Sequence, residues 1–126
     1  MSNALELQVG GDHYKKLAVQ PIQLIVKLQL DYFKGNIVKY VTRHRFKNGI
    51  EDIKKAIHYC ELAKQYMGAI GNYKFSVKTT ATVVTDYAEK NYLTLLERNA
   101  IYYACVEHFN LAIETLNKII KEYEQE

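Results

Sequence analysis

Apolar residues recur at spacings of three and four along much of this chain, and the breaks between those runs predict its elements. Pro21, the single proline, precedes Ile22, Ile25, Val26 and Leu30 and reads as the first residue of a short helix. Gly35-Asn36 then looks like a chain break, with Asn36 as the N-cap of a second helix. In that helix Ile37, Tyr40, Val41 and His44 share one face, while Lys39 and Arg43 stack at i,i+4 on another. Asn48-Gly49 ends it. Ile50, Ile53, Ile57, Cys60, Lys64 and Met67 carry a third helix, closed by Gly68 and Gly71-Asn72.

The pattern then changes, so residues 1–70 read as one helical domain and 71–126 as a dimerisation unit. Tyr73, Phe75, Val77 and Thr79 alternate with Lys74, Ser76, Lys78 and Thr80, and Thr82 to Tyr87 is again β-branched and aromatic. That period of two predicts a two-stranded antiparallel β ribbon turning near Thr80-Ala81. Thr94-Leu95-Leu96-Glu97 is a capping box. After it Asn99, Tyr102, Val106, Phe109, Ile113, Leu116, Ile120 and Tyr123 form an unbroken heptad seam. A helix of that extent would be ~45 Å long, against a radius of gyration of ~14 Å for a chain of this size. The expected fold is therefore mainly α with a small ribbon, interlocked as a homodimer, or a larger assembly, through ribbon and long helix. The alternative is a last helix folded back on the first three as a four-helix bundle.

Composition narrows the function classes. The formal charge is +3 on 17 basic and 14 acidic residues. That is a tilt toward anionic ligands and far short of a duplex nucleic-acid binder. No run is apolar enough to span a membrane and no secretory pattern opens the chain, so a cytoplasmic protein is expected. Cys60 and Cys105 stand far apart and suit buried free thiols. The four histidines make no metal-binding spacing, and no metal or cofactor is expected. Eleven tyrosines with no tryptophan suit interfaces and base-stacking pockets as well as plain cores.

No phosphate loop, nucleophile elbow or close acidic pair is present, which points to a binder and assigns no catalytic residue. The candidate ligand groups are polar and aromatic. Asp12, His13 and Tyr14 follow two glycines and offer an acceptor, an imidazole and a ring; the alternative has Asp12 capping a turn and Tyr14 in the core. Asn36 would open a helix whose free N–H groups can hold phosphate, or simply cap it. Lys39 and Arg43 head a basic face, with Arg43 able to fork onto phosphate. Phe75, Asn91 and Arg98 would meet at the dimer junction.

The signature Gly10-Gly11-Asp12-His13-Tyr14 … Gly35-Asn36-x-x-Lys39-Tyr40-x-x-Arg43, continued by Asp52, Lys55, Ala56 and Tyr59, resembles a widespread small bacteriophage domain. The resemblance covers residues 9 to about 66. Two functions attach to proteins of this kind. One is the sequestration, by phage proteins that defeat Thoeris immunity, of a cyclic ADP-ribose isomer, held without cleavage. The other is a podoviral deoxynucleoside monophosphate kinase that lacks a Walker motif. The first reading implies a dimer binding a cyclic nucleotide-type small molecule in the infected bacterial cell. The second implies phosphoryl transfer, and a third leaves the signature as a fold-builder only.

Overall fold

The computed structural model describes residues 4–6, 17–67 and 73–125. Among them are six α-helices: α1 (Pro21–Leu28), α2 (Tyr32–Arg43), α3 (Ile50–Met67), α4 (Val77–Lys90), α5 (Leu95–Cys105) and α6 (Phe109–Glu124). Pro21 is the first residue of α1, as its missing N–H favours. Helix α2 starts earlier than Gly35-Asn36 suggests. Asp31 is its N-cap, with its carboxylate accepting from the Lys34 N–H at 2.9 Å. Gly35 and Asn36 therefore sit inside the helix, and Asn36 offers no helix N-terminus to a phosphate; its side-chain amide donates to the Tyr32 carbonyl at 2.8 Å.

The expected ribbon is replaced by helix α4, and no strand occurs among the described residues. Alternation over Tyr73 to Thr79 competes with a helical stripe a little further on. Thr80, Val84, Tyr87 and Ala88 fall at i, i+4, i+7 and i+8 and are the buried residues of α4. Ser76 caps its start, accepting from the Thr79 N–H at 3.0 Å. Tertiary burial of that stripe overrides the strand propensity of its valines and threonines.

The single long helix is also corrected. It divides into α5 and α6, with Glu107 at φ 63° between them. The His108 N–H reaches back to the Tyr103 carbonyl at 2.8 Å, and the Glu107 N–H reaches the Ala104 carbonyl at 3.0 Å. These are the two bonds of a Schellman turn, which normally employs glycine at its left-handed position. Here the Glu107 carboxylate binds the ammonium of buried Lys34, offsetting a left-handed residue that costs roughly 1–2 kcal/mol. After the break the buried positions become Phe109, Ala112, Thr115, Leu116 and Ile119. Ribbon and overhanging helix, the two parts of the expected interlock, are thus both absent from the described residues.

The helices share one core. Ile37, Val38 and Val41 of α2, Ile53, Ala56 and Cys60 of α3, Ile101 and Ala104 of α5, and Leu116 of α6 belong to one buried cluster. Helix α2 packs on α1, α3 and α5, and α3 and α5 both pack on α6. Cys60 and Cys105 are buried free thiols, each pushed up to about 12 first of all by burial. No described helix is long and apolar enough to cross a membrane.

The same turn closes α4: Tyr92 has φ 55°, and the Leu93 N–H bonds the Ala88 carbonyl at 2.9 Å. Tyr92 is 87% exposed, so its ring contributes little packing. Tyr92→Gly should stabilise the fold by about 1 kcal/mol in urea unfolding, because glycine adopts this conformation without steric cost. A destabilisation of that size would contradict the strain assigned to this turn.

Candidate functional site

One face of α2 gathers much of the polar signature. Between α1 and α2 opens a cleft of about 340 Å³. Pro21, Ile22, Ile25 and Leu30 give it an apolar wall, while Gln20, Asp31, Asn36 and Lys39 give it polar edges. Its size lies near the lower end of small-molecule cavities, and apolar walls with a few placed polar groups are their usual make-up. Gly35 forms part of the floor; a Cβ there would meet Ile25 Cδ1 at 3.4 Å, so a larger side chain would fill the cleft.

Around the corner of α2, Tyr40 collects cations. Lys39 Nζ lies 4.5 Å, Arg43 Cζ 4.7 Å and Lys55 Nζ 5.6 Å from its ring centroid. Such contacts hold cations near a surface at modest cost. Tyr59 stacks on Tyr40 with centroids 5.9 Å apart and hydrogen-bonds to the Tyr32 hydroxyl at 3.3 Å. That hydrogen bond, followed by burial, holds the Tyr59 phenol up at about 12. Lys39 and Tyr32 belong both to the cleft and to this group, so the two form one continuous surface.

The sequence-derived candidates separate accordingly. Asn36 and Lys39 come together in the cleft. Arg43 lies one turn on, where its guanidinium forks onto the Asp52 carboxylate with both contacts at 3.2 Å. Asp52 is fully buried, so Arg43 is first a partner for a buried charge. Asp12, His13 and Tyr14 lie outside the described residues. Phe75 lines a small recess with Lys34 and Cys105. Asn91 clamps the Val19 backbone, accepting its N–H at 3.0 Å and donating to its carbonyl at 2.7 Å. Arg98 donates to Thr85 Oγ1 at 3.0 Å and to Asn99 at 2.7 Å, and its Nε is buried without a hydrogen-bond partner. None of these last three lines the cleft.

A second polar cavity, of about 290 Å³, was not anticipated. It is lined by His44, Arg45, Thr94, Glu97, Ile119, Glu122 and Tyr123. Buried His44 bonds the Glu97 carboxylate through Nε2 and the Tyr123 hydroxyl through Nδ1, the latter at 2.6 Å. The signal was in the sequence: a histidine on the same helix face as Ile37 and Val41 must find partners when buried. Glu97 also accepts the Thr94 N–H at 2.7 Å, so the capping-box glutamate serves two purposes. The Asp31 cap and the Tyr32 ring escape sequence reasoning as well, because Gly35-Asn36 reads as a chain break and hides the helix start before it.

Burial alone would raise the Glu97 carboxyl. Hydrogen bonds from His44 and the Thr94 backbone, with the Arg45 charge, outweigh it and hold the group below its ordinary value. A carboxylate lowered by folding stabilises the native state above its unfolded value, roughly pH 4.3. That contribution is lost as the pH falls through the depressed folded value. Glu97→Gln should therefore flatten the acid limb of the stability-against-pH curve, measured by urea unfolding between pH 6 and pH 3. An acid limb as steep as in the unsubstituted protein would contradict this role.

Residues 9–61 match the model of a family described only as proteins of unknown function, DUF3310. No curated protein and no solved structure matches the chain. The matched segment carries Asn36, Lys39, Tyr40, Arg43, Asp52, Lys55 and Tyr59, hence the α2 surface, and stops short of Glu97 and Tyr123.

Proposed function

We propose that this protein seats a nucleotide-type small molecule in the α1–α2 cleft and holds it without cleaving it. The observation that carries this reading is the convergence of Gly35, Asn36 and Lys39 on one cavity with an apolar opposite wall. A base or ribose would lie against Ile22, Ile25 and Leu30, with Asn36 and Asp31 pairing its polar edge. A phosphate would face Lys39, and beyond it the cations around Tyr40. Sequestration of a cyclic ADP-ribose isomer in an infected bacterium is what the resemblance to the phage anti-Thoeris proteins contributes. The junction once expected at ribbon and long helix no longer supports it, so the seat now rests within one chain.

The size of the cleft favours a second reading. At about 340 Å³ it suits a single mononucleotide, which is the substrate class of the deoxynucleoside monophosphate kinase.

One experiment separates the two. The protein is incubated with a cyclic ADP-ribose isomer, freed of excess ligand and heat-denatured, and the supernatant is analysed. Parallel reactions offer ATP with dGMP or dTMP. Recovery of the unchanged isomer with no phosphate transfer is the expected result, and Lys39→Ala should weaken retention about ten-fold, the worth of one charged hydrogen bond. Turnover of the monophosphates would replace holding with catalysis. Retention unaltered by Lys39→Ala would remove the ligand from the cleft.

A further inference from the structure

Next to the cleft, five aromatic side chains form a connected row across α2 and α3. Tyr40 and Tyr59 stack, Tyr59 meets Tyr32 edge-on with centroids 5.8 Å apart, and Tyr32 meets Phe33 edge-on at 6.3 Å. Phe33 in turn stacks on Tyr66, with centroids 6.3 Å apart and planes 14° apart. The helix periods explain the alignment. Phe33 and Tyr40 lie seven residues apart along α2, and Tyr59 and Tyr66 seven apart along α3, two turns on one face of each helix. Tyr40 and Tyr66 end the row, and Tyr32 lies at its middle. Tyr32 and Tyr66 remain 71% and 68% exposed, although each is held by a ring beside it.

Tyr66, stacked on Phe33, and Tyr32, held edge-on by Tyr59 and Phe33, are rings whose orientation is already restricted, so less conformational freedom is lost when a flat partner lies on them. The charge beside them selects the partner. Lys39, Arg43 and Lys55 crowd Tyr40 at one end of the row. Arg43 is paired with Asp52 and Lys55 more loosely with exposed Glu51 at 3.8 Å, which leaves Lys39 as the cation there with no ion pair among the described residues. Planar faces next to a cationic patch match bases joined by phosphates. A single strand presents both, whereas a duplex hides its base faces. The net charge of +3 fits the limited phosphate contact that a short strand needs.

We propose that the Tyr32–Tyr66 row binds a short single-stranded nucleic acid, with bases on Tyr32 and Tyr66 and phosphates toward Lys39 and Lys55. The row extends beyond the cleft but shares Tyr32 and Lys39 with it, so it rests in part on the cleft reading. Tyr66 takes no part in lining the cleft, which lets the two be tested apart.

The probes are fluorescein-labelled dT8, followed by anisotropy, and dTMP, followed by calorimetry. The unsubstituted protein should bind dT8 at least ten-fold more tightly than dTMP. Tyr66→Ala, at an exposed position that leaves folding intact, should weaken dT8 about ten-fold, the effect of losing one stacked base, and leave dTMP unchanged. Affinity for dT8 should fall with salt at a log–log slope of roughly −1.4, about −0.7 for each of two phosphates. Binding of dT8 no tighter than dTMP, or unaffected by Tyr66→Ala, overturns the proposal. So does a dimer in solution that Tyr66→Ala dissociates, since the row would then be a contact between copies of the chain. Tight, Tyr66-dependent binding of dT8 without binding of dTMP sustains the row while removing mononucleotides from the cleft.

Discussion

Helix α2 is held in the interior by carboxylates from other parts of the chain. Lys34 reaches Glu107 at the α5–α6 turn, Arg43 reaches Asp52 on α3, and His44 reaches Glu97 on α5. Thr42 adds a buried hydrogen bond to the Tyr87 hydroxyl on α4 at 2.7 Å. Taking one partner away from a buried pair leaves a desolvated charge, at a cost of about 3–5 kcal/mol. Lys34–Glu107 and His44–Glu97 join residues 73 and 53 positions apart, so the set specifies which helices meet as well as how firmly. The left-handed Glu107 persists because its side chain completes one of these pairs.

This internal pairing decides what α2 can offer to a ligand. Lys34 and His44 are enclosed, and Arg43 is committed to Asp52. Lys39 makes no ion pair among the described residues, and Asn36 stands beside it on the cleft. The polar signature thus contains two kinds of residue. Some stabilise the fold from within, and a smaller group faces an open cavity and an aromatic surface. Composition could not separate them, since Lys34 and Lys39 are the same residue type one and a half turns apart.

Helices α1 and α3 and the capping box of α5 were legible in the sequence because their signals are local: a proline at the first position, apolar residues at three and four, and Thr94 with Glu97. The failures share a physical cause. Three helices end in left-handed residues that are not glycine, namely Gln29, Tyr92 and Glu107. A reading that takes glycine as the stop signal runs through Glu107 and makes one helix of two. The same reliance on glycine placed a boundary at Gly35, where Asp31 had already started the helix. In α4, β-branched residues alternate convincingly over a short window, yet the burial of Thr80, Val84, Tyr87 and Ala88 is settled by α5 and the rest of the core. Of the site, Asn36 and Lys39 were visible. The roles of Arg43 and Asn91 were not, because Asp52 and the Val19 backbone become their partners only after folding.

The central claim is that ligand chemistry belongs to the α2 face and that the His44–Glu97–Tyr123 group is a structural clasp. The direct test is a two-dimensional amide NMR titration of the labelled protein with a cyclic ADP-ribose isomer, and separately with dTMP. The account predicts saturable shifts over residues 20–40, including the Asn36 side-chain amide, with the signals of Thr94, Glu97 and Tyr123 unmoved. Shifts centred on Thr94, Glu97 and Tyr123, with residues 20–40 unchanged, would contradict it.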